Sequence, residues 1–527
     1  MTGAEGSGFL GGKAPRRALP PDASFGEKIK YAVSWPPHGP VASLLTWVVV
    51  SAVTWACVYS ILGDEALPGH NLFSIGVLFL ACHAGGELVS KVRLPPLLGM
   101  LVVGIIIRSC PPGVTTTEQL NIGSDINMKW SAVLRKIALV VILIRAGLGL
   151  NPDALKAWKF MIIRLAFVPV LVECLTFFIV THFLLGLPWL WSAMLGFLLS
   201  AVSPAVVVPS ILHIQEHGYG VEKGIPTLVM AAASVDNVIN ISGFGILMGI
   251  TFSKGSMLMQ IFQGPIDVCI GLGFGLAVGV MCLFLPDRHS VWSGPLRFIV
   301  LLVCGILAVF GSTKIGFGGA GALGCLTMAF VAGCGWRAQG LSDAQNPVKG
   351  YFGTMWIFFQ TLLFGLMGAQ IDVSSLDRDT LLWGLICILI ATTIRFVAAF
   401  YSSLGGGLNL KERIFVSIGR FPKATIQAAM GSVALDYALM LRNSIAPEDQ
   451  DNAELIAQLD DNVILGTKVL TIAVLIIVMT APLGSFSIML TAPKLLVRKP
   501  PQAATENGGS EMTTKPPVDG TVPNEEV

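Results

Sequence analysis

The chain has few charged residues for its length. Only 13% of its 527 residues are Asp, Glu, Lys or Arg, whereas 54% are hydrophobic, and the mean hydropathy is +0.74. A soluble domain carries about a quarter of charged residues, so this composition excludes the soluble class. Many apolar stretches approach the roughly 20 residues that a helix needs to span a bilayer. The sequence therefore predicts an all-α polytopic membrane protein embedded in a lipid bilayer.

Cysteine pairs and enzyme-type motifs are also missing. The ten cysteines are scattered singly, and nine lie in apolar runs, which excludes a disulfide framework; Cys110 falls in the 109–130 loop. The glycines of 271–279 lack a preceding strand, so they indicate close helix packing and not a nucleotide site. The H-x-x-E-H spacing from His213 to His217 lacks a further acidic ligand. We predict no enzyme, no cofactor and no nucleic-acid partner.

Fourteen apolar spans can be counted. An even number puts both tails on one side, and the bias of Lys and Arg marks that side as cytoplasmic. No cleavable signal peptide is evident before the first span, so this span is expected to stay. The spans are 41–62, 70–90, 94–108, 131–150, 160–186, 188–212, 225–253, 258–285, 295–312, 318–335, 350–371, 380–403, 412–440 and 463–492.

Composition divides the chain into four parts. Residues 1–40 and 496–527 are rich in Gly, Pro and polar residues and are predicted to be disordered cytoplasmic tails. Span 41–62 is an additional N-terminal transmembrane helix, and 63–495 forms the main membrane domain. The acidic segment 446–461 is predicted as a loop on the opposite face of the membrane.

An Asp-Asn pair, Asp236-Asn237, interrupts the apolar stretch 225–252. An ionisable residue at the centre of a membrane helix costs roughly 2.5–3.5 kcal/mol, and such residues usually mark an ion or proton path. The alternative is a structural hydrogen-bond node between helices. Glu173, Arg395 and Lys423 are embedded in other apolar spans, which favours the ion path.

Internal repetition indicates a transporter. Gly147 is followed by Glu173 after 26 positions and by Ser203 after 56; Gly368 is followed by Arg395 after 27 and by Lys423 after 55. The repeats, about 131–254 and 350–492, enter the membrane with opposite topology, because the matched glycines lie in the fourth and the eleventh span, and the difference between the two span numbers is odd. Inverted repeats of this kind are typical of secondary transporters.

Prolines predict one broken helix in each repeat. Pro204 and Pro209 interrupt the first helix and Pro422 interrupts the second, and freed backbone groups are tolerated at membrane depth where they line a cavity. We expect the two breaks to cross beside Asp236. Lys423 would then balance the negative helix ends that point at the midplane. A simple packing kink is the alternative for each proline.

Several motifs resemble the cation/proton antiporters, and among them the animal sodium/proton antiporter branch. The resemblance covers about residues 40–495 and rests on LGFLLSAVSPAVVVPSIL, GYGVEKGIPTLVMAAAS, LIRAGLGL, NLKERIFVSIGRFPKATIQAAMGSVALD and TAPLGS. It implies a core domain that rocks against a dimerisation domain in a homodimer, exchanging Na⁺ or Li⁺ for protons. It also implies an ion site at Asp236 and Asn237 supported by Ser203, and a charge pair between Glu173 and Arg395.

The chain departs from that family pattern at two positions. Members carry a carboxylate where this chain has Asn237, and an acidic residue is common where it has Gln370. An amide can bind sodium through its oxygen but cannot release a proton, so coupling is altered or falls to Asp236. The alternatives are a transport-inactive or regulatory protein that keeps the fold and, less favoured, an apolar-anion symporter of the same fold.

Overall fold

The computed structural model describes most of the chain between the two tails. The described residues are 39–92, 94–109, 126–150, 152, 158–252, 257–287, 290–341, 346–371, 378–444 and 453–498. Cys110 and nearly all of both predicted tails lie outside them. Within the described residues the regular structure is helical, and β pairing is limited to the single bridge between Tyr219 and Arg498. The predicted all-α class is confirmed.

Seventeen helices carry labels here. Those of the first half are α1 (Gly39–Leu62), α2 (Asn71–Lys91), α3 (Pro96–Ser109), α4 (Met128–Gly149), α5 (Lys159–Leu185), α6 (Trp189–Ser200), α7 (Pro204–Glu216), α8 (Ile225–Phe252) and α9 (Met257–Phe284). Those of the second half are α10 (Ser293–Ile306), α11 (Gly318–Ala338), α12 (Pro347–Gly368), α13 (Arg378–Ser402), α14 (Leu410–Ile418), α15 (Thr425–Met430), α16 (Val433–Asn443) and α17 (Ala453–Leu495). Helix α10 continues through a π-helical turn, Leu307–Gly311, into Ser312–Lys314.

Ten helical segments in the described part of the chain are long and apolar enough to cross a membrane. The other four predicted spans correspond to the short helix α3, to α4, to α11 and to the interrupted stretch of α14, α15 and α16. The count of fourteen spans therefore stays a prediction, whereas the polytopic helical architecture is confirmed.

The predicted acidic loop 446–461 is helical where the structure describes it, and 446–452 lie outside the described residues. Helix α17 begins at Ala453 and runs to Leu495, so its first turns extend ten residues before the predicted span start at 463. Glu454 lies in the first turn, where a negative charge is favourable beside the positive end of the helix dipole. The loop was predicted from the density of acidic residues, and this prediction was wrong from Ala453 onwards, where the acidic residues belong to a helix.

By its internal contacts the chain forms two compact units. Among the described residues, one unit comprises 39–77 with 126–127, and the other comprises those of 78–109 and 128–498. In the first unit the rings of Trp55 and Phe73 meet edge to face at 5.5 Å. The apolar span of α1 has no buried residue in this single chain, as expected for a helix that faces lipid or another protein.

The matched glycines of the repeats lie where helices approach closely. A Cβ atom at Gly147 would lie 2.5 Å from the carbonyl oxygen of Leu326 on α11, and one at Gly368 would overlap that of Leu101 on α3. The predicted packing role of the glycines in 271–279 is confirmed, since a Cβ at Gly271 would lie 2.6 Å from a carbonyl oxygen of α11. Small residues let membrane helices approach this closely.

The two predicted breaks exist and touch each other. Helix α6 ends at Ser200, three extended residues follow, and α7 begins with Pro204 at its first position, where a missing amide proton costs nothing. In the second repeat, residues 419–424 separate α14 from α15. The amide of Ser203 donates to the carbonyl of Pro422 at 2.9 Å. The fold therefore brings the breaks of both repeats to one buried place.

Candidate functional site

The carbonyl end of α6 is surrounded by donors from the second repeat. The side-chain amide of Gln427 donates to three carbonyls there at 2.8–3.4 Å, those of Leu198, Leu199 and Ala201. The carbonyl of Ser200 accepts from Arg395 Nη1 at 2.7 Å and from Lys423 Nζ at 2.8 Å. These contacts satisfy backbone groups that the break would leave without partners, and two of the donors are cations at the negative helix end.

Glu173 on α5 joins two of those cations. Its Oε2 atom accepts from Arg395 Nη1 on α13 and from Lys423 Nζ, the latter at 2.8 Å. The Glu173 side chain and Lys423 are completely buried, and Arg395 is 1% exposed. The structure thus brings together the predicted pair Glu173–Arg395 and adds Lys423 to it.

Asp236, at the middle of α8, is held by two guanidinium groups. Its Oδ2 atom accepts from Arg395 Nη2 at 2.6 Å and from Arg420 Nη2 at 2.5 Å. Its Oδ1 atom accepts from Asn240 Nδ2, one helical turn later on the same helix. Both carboxylate oxygens therefore accept hydrogen bonds in this conformation, and a cation at Asp236 competes with two guanidinium charges for the same carboxylate.

The cluster carries one positive charge in excess. It contains two carboxylates, Asp236 and Glu173, and three cations, Arg395, Arg420 and Lys423, all with at most 1% of their surface exposed. Buried charges are stable only when they are paired and hydrogen-bonded. Arg395 contacts both carboxylates, so the predicted ion site and the predicted charge pair form one network.

Asn237 and Ser203 differ in how they are engaged. Asn237 is 1% exposed, and neither of its amide atoms has a hydrogen-bond partner within the described residues. The hydroxyl of Ser203 lies 3.2 Å from that of Thr425 and accepts from the Thr425 amide at 3.3 Å. Asn237 therefore has an amide oxygen without a hydrogen-bond partner among the described residues, one position after Asp236 on the same helix, whereas Ser203 links the two breaks.

Three members of the network were missed from the sequence. Arg420 precedes Lys423 by three residues in the same apolar span, Asn240 follows Asp236 by one turn, and Gln427 follows Lys423 by four. The helical spacing could have identified Asn240 as a neighbour of Asp236. Arg420 carried the clearest signal, since it is a further charge inside an apolar span.

Another ion pair, between a buried arginine and a partly exposed aspartate, lies away from the breaks and joins α4 to α16. Arg135 Nη2 donates to both carboxylate oxygens of Asp436 at 3.0 Å. Arg135 Nη1 donates to Ser131, and the oxygen of Gln370 accepts from the same guanidinium at 2.7–2.9 Å once its amide is oriented to face it. Gln370 stands where family members commonly have an acidic residue, and its side chain lies beside a buried arginine.

Metal binding through the usual ligands has no support in the described part of the chain. There, no three His, Cys, Asp or Glu side chains are grouped to hold a metal ion. His213 and His217 lie with ring centroids 4.3 Å apart, and His217 Nδ1 is 2.7 Å from the backbone oxygen of His213.

Comparison with known proteins adds a family and a fold. The family model "Sodium/hydrogen exchanger, transmembrane" matches residues 75–492. Sodium/hydrogen exchanger 9B2 of Xenopus tropicalis is 44% identical over 483 residues, which are 90% of this chain and 84% of that protein. The human protein of the same name is 41% identical over 502 residues, covering 94% and 88%. The sodium proton antiporter MjNhaP1 of Methanocaldococcus jannaschii has the same fold, with a TM-score of 0.59 at 17% identity over 81% of this chain and 98% of that one.

Proposed function

The chain belongs to the sodium/hydrogen exchanger family, and from that premise we propose that it exchanges Na⁺ or Li⁺ for protons at Asp236 by alternating access. The resemblance to the animal branch, predicted from the sequence motifs, is confirmed. The coarse function is therefore that of a membrane transporter of this family. The site, the coupling and the mechanism below are our proposal.

The observation that carries the proposal is the position of Asp236. This carboxylate is fully buried, and Arg395 and Arg420 donate to the same oxygen. Protonation of Asp236 removes the negative charge that attracts a cation, and a bound cation disfavours the protonated form in turn. Cation and proton binding are therefore mutually exclusive at Asp236, and mutual exclusion is what couples the two fluxes.

Asn237 and Ser203 supply oxygen ligands and no proton. A sodium or lithium ion prefers oxygen, and the Asn237 amide oxygen is free within the described residues. Because an amide side chain does not release a proton at physiological pH, the exchange of cation for proton falls to Asp236. Ser203 lies at the contact of the two breaks, so its hydroxyl contributes where the half-helices meet.

Competition of a cation and a proton for one carboxylate sets the stoichiometry. With Arg395, Arg420 and Lys423 against two carboxylates, binding one Na⁺ and protonating Asp236 change the cluster charge by the same amount. The cation-loaded and proton-loaded forms thus carry equal charge through the membrane, which gives one-for-one, electroneutral exchange. Adding a cation to a cluster that is already positive also weakens binding, as expected where Asn237 replaces a carboxylate.

The domain assignment follows the repeats. The helices of 131–254 and 350–492 contribute a moving core, within the membrane domain 63–495. The extra helix of 41–62 serves the interface of a homodimer, and the tails 1–40 and 496–527 are cytoplasmic. The membrane that holds the protein is the plasma membrane or that of an organelle.

One alternative has a specific observation in its favour. Both oxygens of Asp236 are engaged and the neighbouring position is an amide, which suits a transport-inactive or regulatory protein that keeps the fold. In such a protein the arginines lock the site permanently. The two functions differ in a direct test of transport.

The test is reconstitution of the purified full chain in liposomes with a trapped pH indicator. An outward Na⁺ gradient should acidify the interior in the wild type, Li⁺ should replace Na⁺, and choline should not. Asp236→Asn should abolish the response, while Arg442→Gln, which alters an exposed pair with Asp460, should retain it. A folded wild type without cation-driven proton movement would overturn transport in favour of the inactive alternative.

A further inference from the structure

The two arginines on Asp236 are held very differently. Arg395 has three charged or backbone partners, namely Glu173, Asp236 and the carbonyl of Ser200. Arg420 donates through Nη2 to Asp236 alone, and its Nε and Nη1 atoms have no hydrogen-bond partner among the described residues. Arg395 is therefore fixed from three sides, whereas Arg420 is held by one ion pair.

The backbone is also more rigid at Arg395 than at Arg420. Arg395 lies in the interior of the 25-residue helix α13. Arg420 lies in the interruption after α14, where its amide donates to Ser417 at 3.2 Å and that of Phe421 donates to Ile418 at 3.0 Å in a turn. A turn residue absorbs a change of φ and ψ more easily than a residue inside a continuous helix. The Arg420 side chain is thus the donor that can withdraw from Asp236.

We infer that Arg420 is a tethered competitor for the cation site. Its guanidinium occupies Asp236 when neither cation nor proton is bound and withdraws when one binds. The ligand class is a small monovalent alkali cation, and the inference rests on the proposed function. Arg395 stays in place throughout and keeps Glu173 and Asp236 connected.

The competitor explains how the buried carboxylate of Asp236 remains fully paired without a ligand. When the site is empty, the buried carboxylate keeps two charged hydrogen bonds, and an unpaired buried charge is avoided. A cation gains Asp236 only by replacing Arg420, so the arginine raises the concentration of cation that is needed. It thereby lowers the apparent affinity of the site for every cation that competes with it.

The experiment measures cation binding apart from transport. The full chain is purified in detergent, and its melting temperature is titrated with LiCl or NaCl at constant ionic strength held with choline chloride. Arg420→Gln removes the charge but can still donate a hydrogen bond, and it should lower the half-stabilising cation concentration at least about tenfold, as removal of a directly contacting charge implies. Arg420→Lys, which keeps the charge, should return most of the way to the wild type.

The matched control is Arg413→Gln. This residue lies on α14, seven positions before Arg420, and is half-buried, so the variant removes the same charge from the adjoining element without touching Asp236. Its midpoint should equal that of the wild type. If Arg420→Gln does not yield monodisperse protein, Arg420→Met provides a second neutral variant with the same expected shift.

Four outcomes decide the matter. A responsive wild type with a lower midpoint in the neutral variant supports the competitor. If cations raise the melting temperature of the neutral Arg420 variant but not that of the wild type, the competitor is also supported, and transport by the native chain is contradicted. An unchanged or higher midpoint in the neutral variant, with a responsive wild type, overturns the competitor alone. Silence of both proteins overturns the competitor and the proposed cation site together.

Discussion

The balance of single charges determines what the buried cluster binds. Asn237 adds no charge next to Asp236, so two carboxylates face three cations, all of them buried. Each member contacts at least one of opposite sign. Single substitutions therefore have effects of predictable sign, according to whether they increase or remove the positive excess.

Restoring a carboxylate at position 237 should strengthen cation binding. Asn237→Asp brings the cluster to neutrality and places a second acidic oxygen beside Asp236, so we expect a larger Na⁺-driven proton flux in liposomes. Asn237→Leu, which has a similar shape but no oxygen, should decrease it. Equal flux in the leucine variant and the wild type would show that the amide is not a ligand.

The two partners of the Glu173–Arg395 pair should not be equivalent. Glu173→Gln leaves three cations against Asp236, and loss of one partner of a buried pair costs roughly 3–5 kcal/mol. Arg395→Gln leaves Glu173 with Lys423 and Asp236 with Arg420, so its melting temperature should fall less.

The double variant of Glu173 and Arg395 completes the cycle. Because the two side chains are in contact, it should recover part of the stability that Glu173→Gln loses. Melting temperatures of all four proteins in the same detergent measure this coupling. Strictly additive losses, or a larger loss for Arg395→Gln than for Glu173→Gln, would contradict the network described here.

At the scale of helices, an ion pair connects α4 to α16, in addition to the contact between the two breaks. Arg135 on α4 and Asp436 on α16 form an ion pair in which Arg135 is 1% exposed. Helix α16 continues the second broken helix, whereas α4 packs beside α11 and α12. Any movement of the broken helices against α4 has to separate this pair.

Removing that tie should loosen the ends of α4 and α16. Asp436→Asn leaves the Arg135 charge buried without a carboxylate, and we expect faster hydrogen exchange in 128–135 and 433–443 with little change in α5. Arg442→Gln is the control, since exposed pairs contribute about 0–1 kcal/mol and its pair with Asp460 is exposed. Unchanged exchange in Asp436→Asn would mean that other contacts hold α16.

For the whole molecule, the sequence was sufficient for the helical architecture and for much of the cluster. Apolar length predicted the membrane helices, of which ten are long and apolar enough to span a membrane in the described part of the chain. Proline at matched positions located both breaks, and the family resemblance implied the pair of Glu173 and Arg395. The sequence did not reveal that Arg420 contacts Asp236, because the two are 184 positions apart and no local pattern joins them. It also misassigned the start of α17, where acidic residues were taken as a loop although they continue a helix.

The N-terminal helix offers a test of assembly. Its span has small residues at Ser51, Ala52, Ala56 and Ser60, on which another helix can pack. Deletion of residues 1–62 should shift the detergent-solubilised protein towards monomer and lower its melting temperature, as light scattering and thermal unfolding would record. Cation-dependent stabilisation of each protomer should persist. A deletion variant that remains fully dimeric, or that loses the cation response while dimeric, would contradict this role.

The most direct test of the central claim, that Asp236 takes one cation or one proton at a time, is the flux-reversal point in liposomes. Internal and external Na⁺ and pH are varied until net proton movement stops, with the membrane potential clamped at several values by K⁺ and valinomycin. One-for-one exchange at a single carboxylate predicts reversal where the Na⁺ and proton gradients are equal, at every potential, and no flux in Asp236→Asn. A reversal point that moves with the potential, or Na⁺-driven flux that survives in Asp236→Asn, would contradict the account.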